Sequence, residues 1–210
     1  MRAGSGMTTM STTCALPVGQ VLTAVDCSTA PVLPDTVTGR TGGTTDSPLT
    51  VVVPIIDGKC RLSADTNGQV TRILPNAEGP ADVVGVVDFS LSSTSGVAGG
   101  LSLRCTPTQC ITSELYSPGS FYMLEAKDAT STPSEIFARP FVFAAGRLYR
   151  MVVASIGNHV RAWIDGTLAG AGSAFVSSAG FVSVFVYDFS AGAGAYMDVQ
   201  RFYAFLPAAT

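Results

Sequence analysis

The chain has 210 residues, 47% of them hydrophobic and only 13% charged, with a net charge of −3 at pH 7. Its Lys and Arg residues stand singly, which excludes the basic stripe that nucleic-acid binding needs to displace counterions from phosphates. No apolar run reaches the roughly 18 residues of a membrane-spanning helix: Val51-Val52-Val53-Pro54-Ile55-Ile56 is short and carries a proline.

In chain order, residues 1–34 are rich in Thr, Ser, Ala and Pro, with apolar islands at Val18, Val21, Leu22 and Val25. Such a segment cannot bury a core of its own, which predicts an extended arm that orders on a partner or on the domain. Deleting it should leave the rest folded. Pro17, Gly19, Gln20 and Thr23 interrupt the only apolar stretch near the start, so no secretory leader is expected and synthesis in the cytoplasm is.

The domain is expected over residues 35–210. Asp35 to Ser47, "DTVTGRTGGTTDS", reads as a loop, and Leu49 to Ile56 as one strand broken near an edge by Pro54. Asp57-Gly58 and Asn67-Gly68 are turn signals that flank strands at Lys59 to Ser63 and Gln69 to Leu74. Asp82 to Leu91 is almost wholly apolar, as a central strand buried on both faces would be. Further strands are predicted at Leu101 to Cys105, Phe121 to Lys127, Ser134 to Arg139 and Arg147 to Ser155.

From Gly146 to Phe205 the pattern predicts four strands joined by tight turns. Val160, Ala162 and Ile164 alternate with Arg161, Trp163 and Asp165 between a Gly157-Asn158 and an Asp165-Gly166 turn. Phe181 to Tyr187 is apolar on both faces and is expected in the sandwich interior. No window has apolar residues at helical spacing, so the fold class is all-β, a sandwich or jelly roll.

The five cysteines are Cys14, Cys27, Cys60, Cys105 and Cys110. Cys105 and Cys110 are close enough in sequence for a small disulfide loop between two strands. Reduced, buried cysteines are the favoured alternative, and an odd count leaves at least one thiol or an intermolecular bond. No histidine stands near enough to complete a zinc site.

Candidate chemistry is sparse. Retaining glycosidases need two carboxylates flanking the scissile bond, and Glu78, Glu114, Glu125 and Glu135 stand in no such motif. Glu125 shares a strand face with Lys127, which reads as a solvated edge. His159, the single histidine, follows a turn and is read as a turn residue. Trp163 and Arg161, with Tyr187 and Tyr196, are the candidates for a sugar-stacking surface. The plainer reading has Trp163 covering a sandwich face with an arginine over its ring. Asp82, Asp88, Asp165, Asp188 and Asp198 lack the dense oxygen spacing that calcium requires, and Asp188 and Asp198, near strand ends, are the better candidates among them; no other cofactor is expected.

The segments "ADVVGVVDFSL", "GGLSLRC", "SFYMLEAKD", "GRLYRMVVASIGNHVRAWIDGTLAG" and "AYMDVQRFYAF" resemble, in order, the strands of the concanavalin A-like lectin/glucanase jelly roll, especially its laminin-G-like branch. "PDTVTGRTGG" and "IDGKCRLS" are similar to the opening of that domain in actinobacteriophage virion proteins. The resemblance implies a non-enzymatic virion component, a capsid decoration or minor tail protein made in the host cytoplasm. Its partners would be viral coat or tail proteins, further copies of itself and host-surface glycans. An extracellular carbohydrate-binding module is the alternative, and a glycosidase ranks third.

Overall fold

The computed structural model describes residues 18–29, 32–41, 49–64, 70–116, 121–127, 133–176, 178–189 and 194–208. Among these there are sixteen strands, numbered β1 to β16 in chain order, and no helix. All pairings are antiparallel, in two sheets. Sheet A runs β14 (Thr167–Ser173), β13 (His159–Ile164), β12 (Tyr149–Ile156), β7 (Val83–Leu91), β16 (Ala195–Pro207), β5 (Lys59–Ala64) and β4 (Ile55–Ile56), with β1 (Val18–Asp26) on the C-terminal half of β16. Sheet B runs β11 (Pro133–Pro140), β10 (Phe121–Lys127), β9 (Cys110–Tyr116), β8 (Val97–Cys105), β15 (Phe181–Asp188), β6 (Val70–Pro75), β2 (Val37–Thr41) and β3 (Leu49–Thr50).

Alternation within strands builds the core. Leu101, Leu103, Ile111, Leu115, Tyr122 and Leu124 of sheet B pack with Val87, Phe89, Met151, Val153 and Phe202 of sheet A. Each large apolar side chain so buried contributes about 1.5–3 kcal/mol. The nearly unbroken burial of β7 follows from its place between β12 and β16, as its apolar sequence predicts.

Several expectations are corrected. The stretch read as a loop from Asp35 to Ser47 contains β2, which pairs along its length with β6 and buries Val37. The single strand expected over Leu49 to Ile56 is two short ones in different sheets, because the chain crosses the sandwich edge around Pro54. Five strands, not four, fill the C-terminal segment. The extra one, β14, has the sequence TLAGAGS and little β propensity. Its glycines answer to packing: a Cβ on Gly172 would lie 2.2 Å from Ile136, and one on Gly170 would lie 2.9 Å from the Phe137 ring.

Part of the expected arm is integrated into sheet A. Val18–Asp26 pairs with β16, Val25 is fully buried, and Cys27 is disulfide-bonded to Cys60 on β5. Residues 1–17, Cys14 among them, lie outside the described residues, as does the Asn67-Gly68 turn. Cys105 and Cys110 are also bonded, so the reading of reduced cysteines is corrected at both pairs. Asp57-Gly58 and Asp165-Gly166 adopt positive φ at both positions, the geometry that two-residue hairpin turns require.

Candidate functional site

Residues paired across a sheet share a face, so the register of sheet B arranges its outward side chains in rows. One row crosses the sheet as Arg40, Arg72, Phe185, Gly100, Glu114 and Met123. On one side of it runs Val70, Tyr187, Ala98, Tyr116 and Phe121. On the other runs Ser183, Ser102, Thr112, Glu125 and Glu135.

A cleft of about 410 Å³ lies over these rows, within the size range of small-ligand sites. Gly100 is fixed by packing: a Cβ there would lie 2.1 Å from the carbonyl oxygen of Ser113 on β9. Phe189 meets Tyr116 and Tyr187 edge to face, with ring centroids 4.8 and 4.3 Å apart, and the three rings form one wall. Beyond the polar row, the β8–β9 turn closed by Cys105–Cys110 forms another.

The acidic end of the cleft is chemically unusual. Glu114 is almost fully buried, and burial, followed by the nearby Glu125 carboxylate, pushes its pKa up to about 8. Burial and then Glu135 also raise Glu125. Glu114 therefore holds its proton at neutral pH and faces the cleft as a donor. At the opposite end, the Arg72 guanidinium stacks over Phe185 at 5.9 Å. Its Nε is buried without a hydrogen-bond partner among the described residues, and burial lowers its pKa to about 10.

The residues singled out from sequence are dispersed. Tyr187 lines the cleft. Trp163 and Arg161 are on β13 of sheet A, where Trp163 pairs with Val152 and Leu168. Tyr196, on β16, lies under Arg61 at 3.9 Å. The three arginine–ring stacks among the described residues are at Tyr196, Phe185 and Tyr149, not at Trp163. Asp198 is held by a bidentate ion pair with Arg61, while Asp188 ends β15 in the other sheet, fully buried; the two calcium candidates do not meet. His159 opens β13 beside its turn, exposed.

β10 is internal to sheet B and Glu125 is half-buried, which corrects the solvated-edge reading. Sequence reasoning missed β9 and Arg72. The signal for β9 was present: Ile111, Ser113 and Leu115 are buried alternately with Thr112, Glu114 and Tyr116, a period of two diluted by the polar inward Ser113.

No protein-family model and no curated protein matches the sequence. Solved structures do share the architecture. The β-glucanase of Bacillus licheniformis aligns with a TM-score of 0.66 at 12% identity, over 89% of this chain and 98% of that one. The catalytic domain of an endo-1,3-β-glucanase (laminarinase) from Thermotoga petrophila aligns at 0.66 and 9%, over 90% and 98%. Carbohydrate-binding module CBM66 from Bacillus subtilis aligns at 0.57 and 16%, over 68% and 85%. These likenesses establish a jelly-roll sandwich of the concanavalin A-like type. They also overturn the expectation of a non-enzymatic protein: glycoside hydrolases recur among the structures that match this fold over most of its length, so the architecture is no ground for excluding catalysis.

Proposed function

We propose that this chain is a lectin-like carbohydrate-binding protein that takes a polysaccharide in the outer cleft of sheet B. The observation that carries this reading is the wall of Tyr116, Tyr187 and Phe189 beside the hydroxyls and carboxyls of Ser102, Thr112, Glu114 and Glu125. Aromatic faces receive the C–H faces of pyranose rings, and the polar row accepts and donates to their hydroxyls. Glucanases and a carbohydrate-binding module among the structural neighbours support it. The Cys27–Cys60 and Cys105–Cys110 bonds favour oxidising, extracellular surroundings. Attachment to a viral particle rests on the sequence resemblance alone.

Affinity electrophoresis against a panel of soluble polysaccharides tests the reading. Tyr187→Ala should weaken retention about tenfold, since one base- or sugar-sized stacking contact is worth on the order of 1–3 kcal/mol, while Trp163→Ala should not. The converse pattern would move the site to sheet A.

A second reading, hydrolysis, is favoured by one feature, the pairing of Glu114 with Glu125. The protonated Glu114 would give its proton to the glycosidic oxygen as the leaving group departs and the Glu125 carboxylate bonds to the anomeric carbon; water, deprotonated by Glu114, would then displace Glu125 and restore both groups. Release of reducing ends that Glu114→Gln and Glu125→Gln each abolish is the expected result; turnover untouched by both removes this pair from the chemistry.

A further inference from the structure

We propose that the cleft selects an anionic polysaccharide, with the Arg72 guanidinium receiving a carboxylate or sulfate on a sugar some three strand spacings from Glu114. The inference rests on the glycan reading of the same cleft and narrows its substrate class.

Arg72 is the anomaly that leads there. Arg61, Arg104, Arg147, Arg150 and Arg201 each reach an aspartate. Arg72 reaches none among the described residues; its Nε, like that of Arg139, is buried without a hydrogen-bond partner, and of these two Arg72 is the one that lines the cleft. A desolvated cation without a counterion destabilises a fold, and this chain has more acidic than basic residues from which to supply one.

Its neighbours deepen the contrast. On one side Arg72 is in register with Phe185, whose ring it overlies, and on the other with Arg40. A bound anion would satisfy the buried donor. The guanidinium fork suits both carboxylate and sulfate oxygens, which it can hold through two parallel hydrogen bonds.

Glu114 does not cancel this charge, because it keeps its proton at neutral pH; the Glu125 carboxylate stands in the adjoining row on β10, at the far end of the cleft from Arg72. Arg72 and Glu114 are separated by β15 and β8. At about 4.8 Å per strand, the row places them roughly 14 Å apart along the sheet. A chain of several sugars lying across the strands would present its acidic substituent to Arg72 while another unit lies beside Glu114.

The test uses the full chain with its disulfides intact and three probes of matched length: polygalacturonate, a sulfated galactan and a neutral mixed-linkage β-glucan. Wild type should bind at least one acidic probe at least tenfold more tightly than the neutral one, and salt should erode the difference. Which acidic probe is preferred distinguishes carboxylate from sulfate. Arg72→Met should abolish the preference, with an unfolding temperature equal to or above that of wild type; Arg72→Lys should retain part of it. Equal or tighter binding of the neutral glucan by wild type would overturn the inference, as would an acidic preference that survives in Arg72→Met. If either of those results is accompanied by neutral-glucan binding that Tyr187→Ala removes, the glycan reading stands without the inference. Failure to bind any polysaccharide would remove both.

Discussion

At Glu114 the position on the ladder sets the chemistry: the side chain faces outward, yet neighbouring strands cover it and leave a proton where most glutamates have a charge. The unfolded chain releases that proton near pH 4.5 and the native one near 8. Between these values the native state binds more protons, so this residue makes stability fall as pH rises and stops contributing slope above about 8. Glu114→Gln should therefore match wild type near pH 4 and exceed it at pH 9 by on the order of 5 kcal/mol at most, at about 1.4 kcal/mol per pKa unit. Thermal melts across pH check it; a variant less stable than wild type at pH 9 would contradict it. Gly100→Ala should destabilise by about 1–3 kcal/mol, because the added methyl meets backbone rather than a side chain that can turn away. Neither residue announced its role in the sequence, since Glu114 acquires its neighbours only through the pairing of β9 with β8 and β10.

Among the elements, those with strict alternation or paired turn residues were legible: β5, β7, β10, β12 and β13 lie within a few residues of their expected bounds. Strands whose composition serves contacts across the sandwich were not. In β14 glycine makes room for Ile136 and Phe137, and in β2 threonine and glycine pair with β6. The disulfide from Cys27 to Cys60 was also illegible, because it joins the end of β1 to a strand 33 residues later. A loop of that length should confer about 3–4 kcal/mol. Reduction, or Cys27→Ser with Cys60→Ser, should lower the denaturant midpoint correspondingly. Removing residues 1–26 should cost more, and the truncated protein should be less soluble, because it strips a partner from Thr23's and Val25's neighbours on β16 and opens a sheet edge. Size-exclusion chromatography of the truncated chain is the measurement, and it sets this expectation against that of a dispensable arm.

Across the whole molecule, the two-fold periodicity of nearly every apolar segment made the fold class readable, while the cleft was not, because it belongs to rows that cross strands distant in sequence. β7 pairs with β16 and β6 with β15, so most of the architecture closes only after long loops are ordered. Folding from denaturant should take milliseconds to seconds or longer. Stopped-flow refolding of the oxidised chain measures this, and the far-ultraviolet spectrum of the product should show β structure with negligible helix.

The pairing of Val18 with Pro207 means that the two ends of the described fold leave sheet A side by side. A tether pulling on both would load the β1–β16 ladder one hydrogen bond at a time, as a zipper is opened, instead of shearing all its bonds together. β1 would peel at low force, releasing about 30 Å for its nine residues at roughly 3.3 Å each, and peeling on that side would then halt where Cys27 is bonded to Cys60. The staple thus converts a weak seam into a short extensible element, with the cleft on the other sheet outside the path of the load.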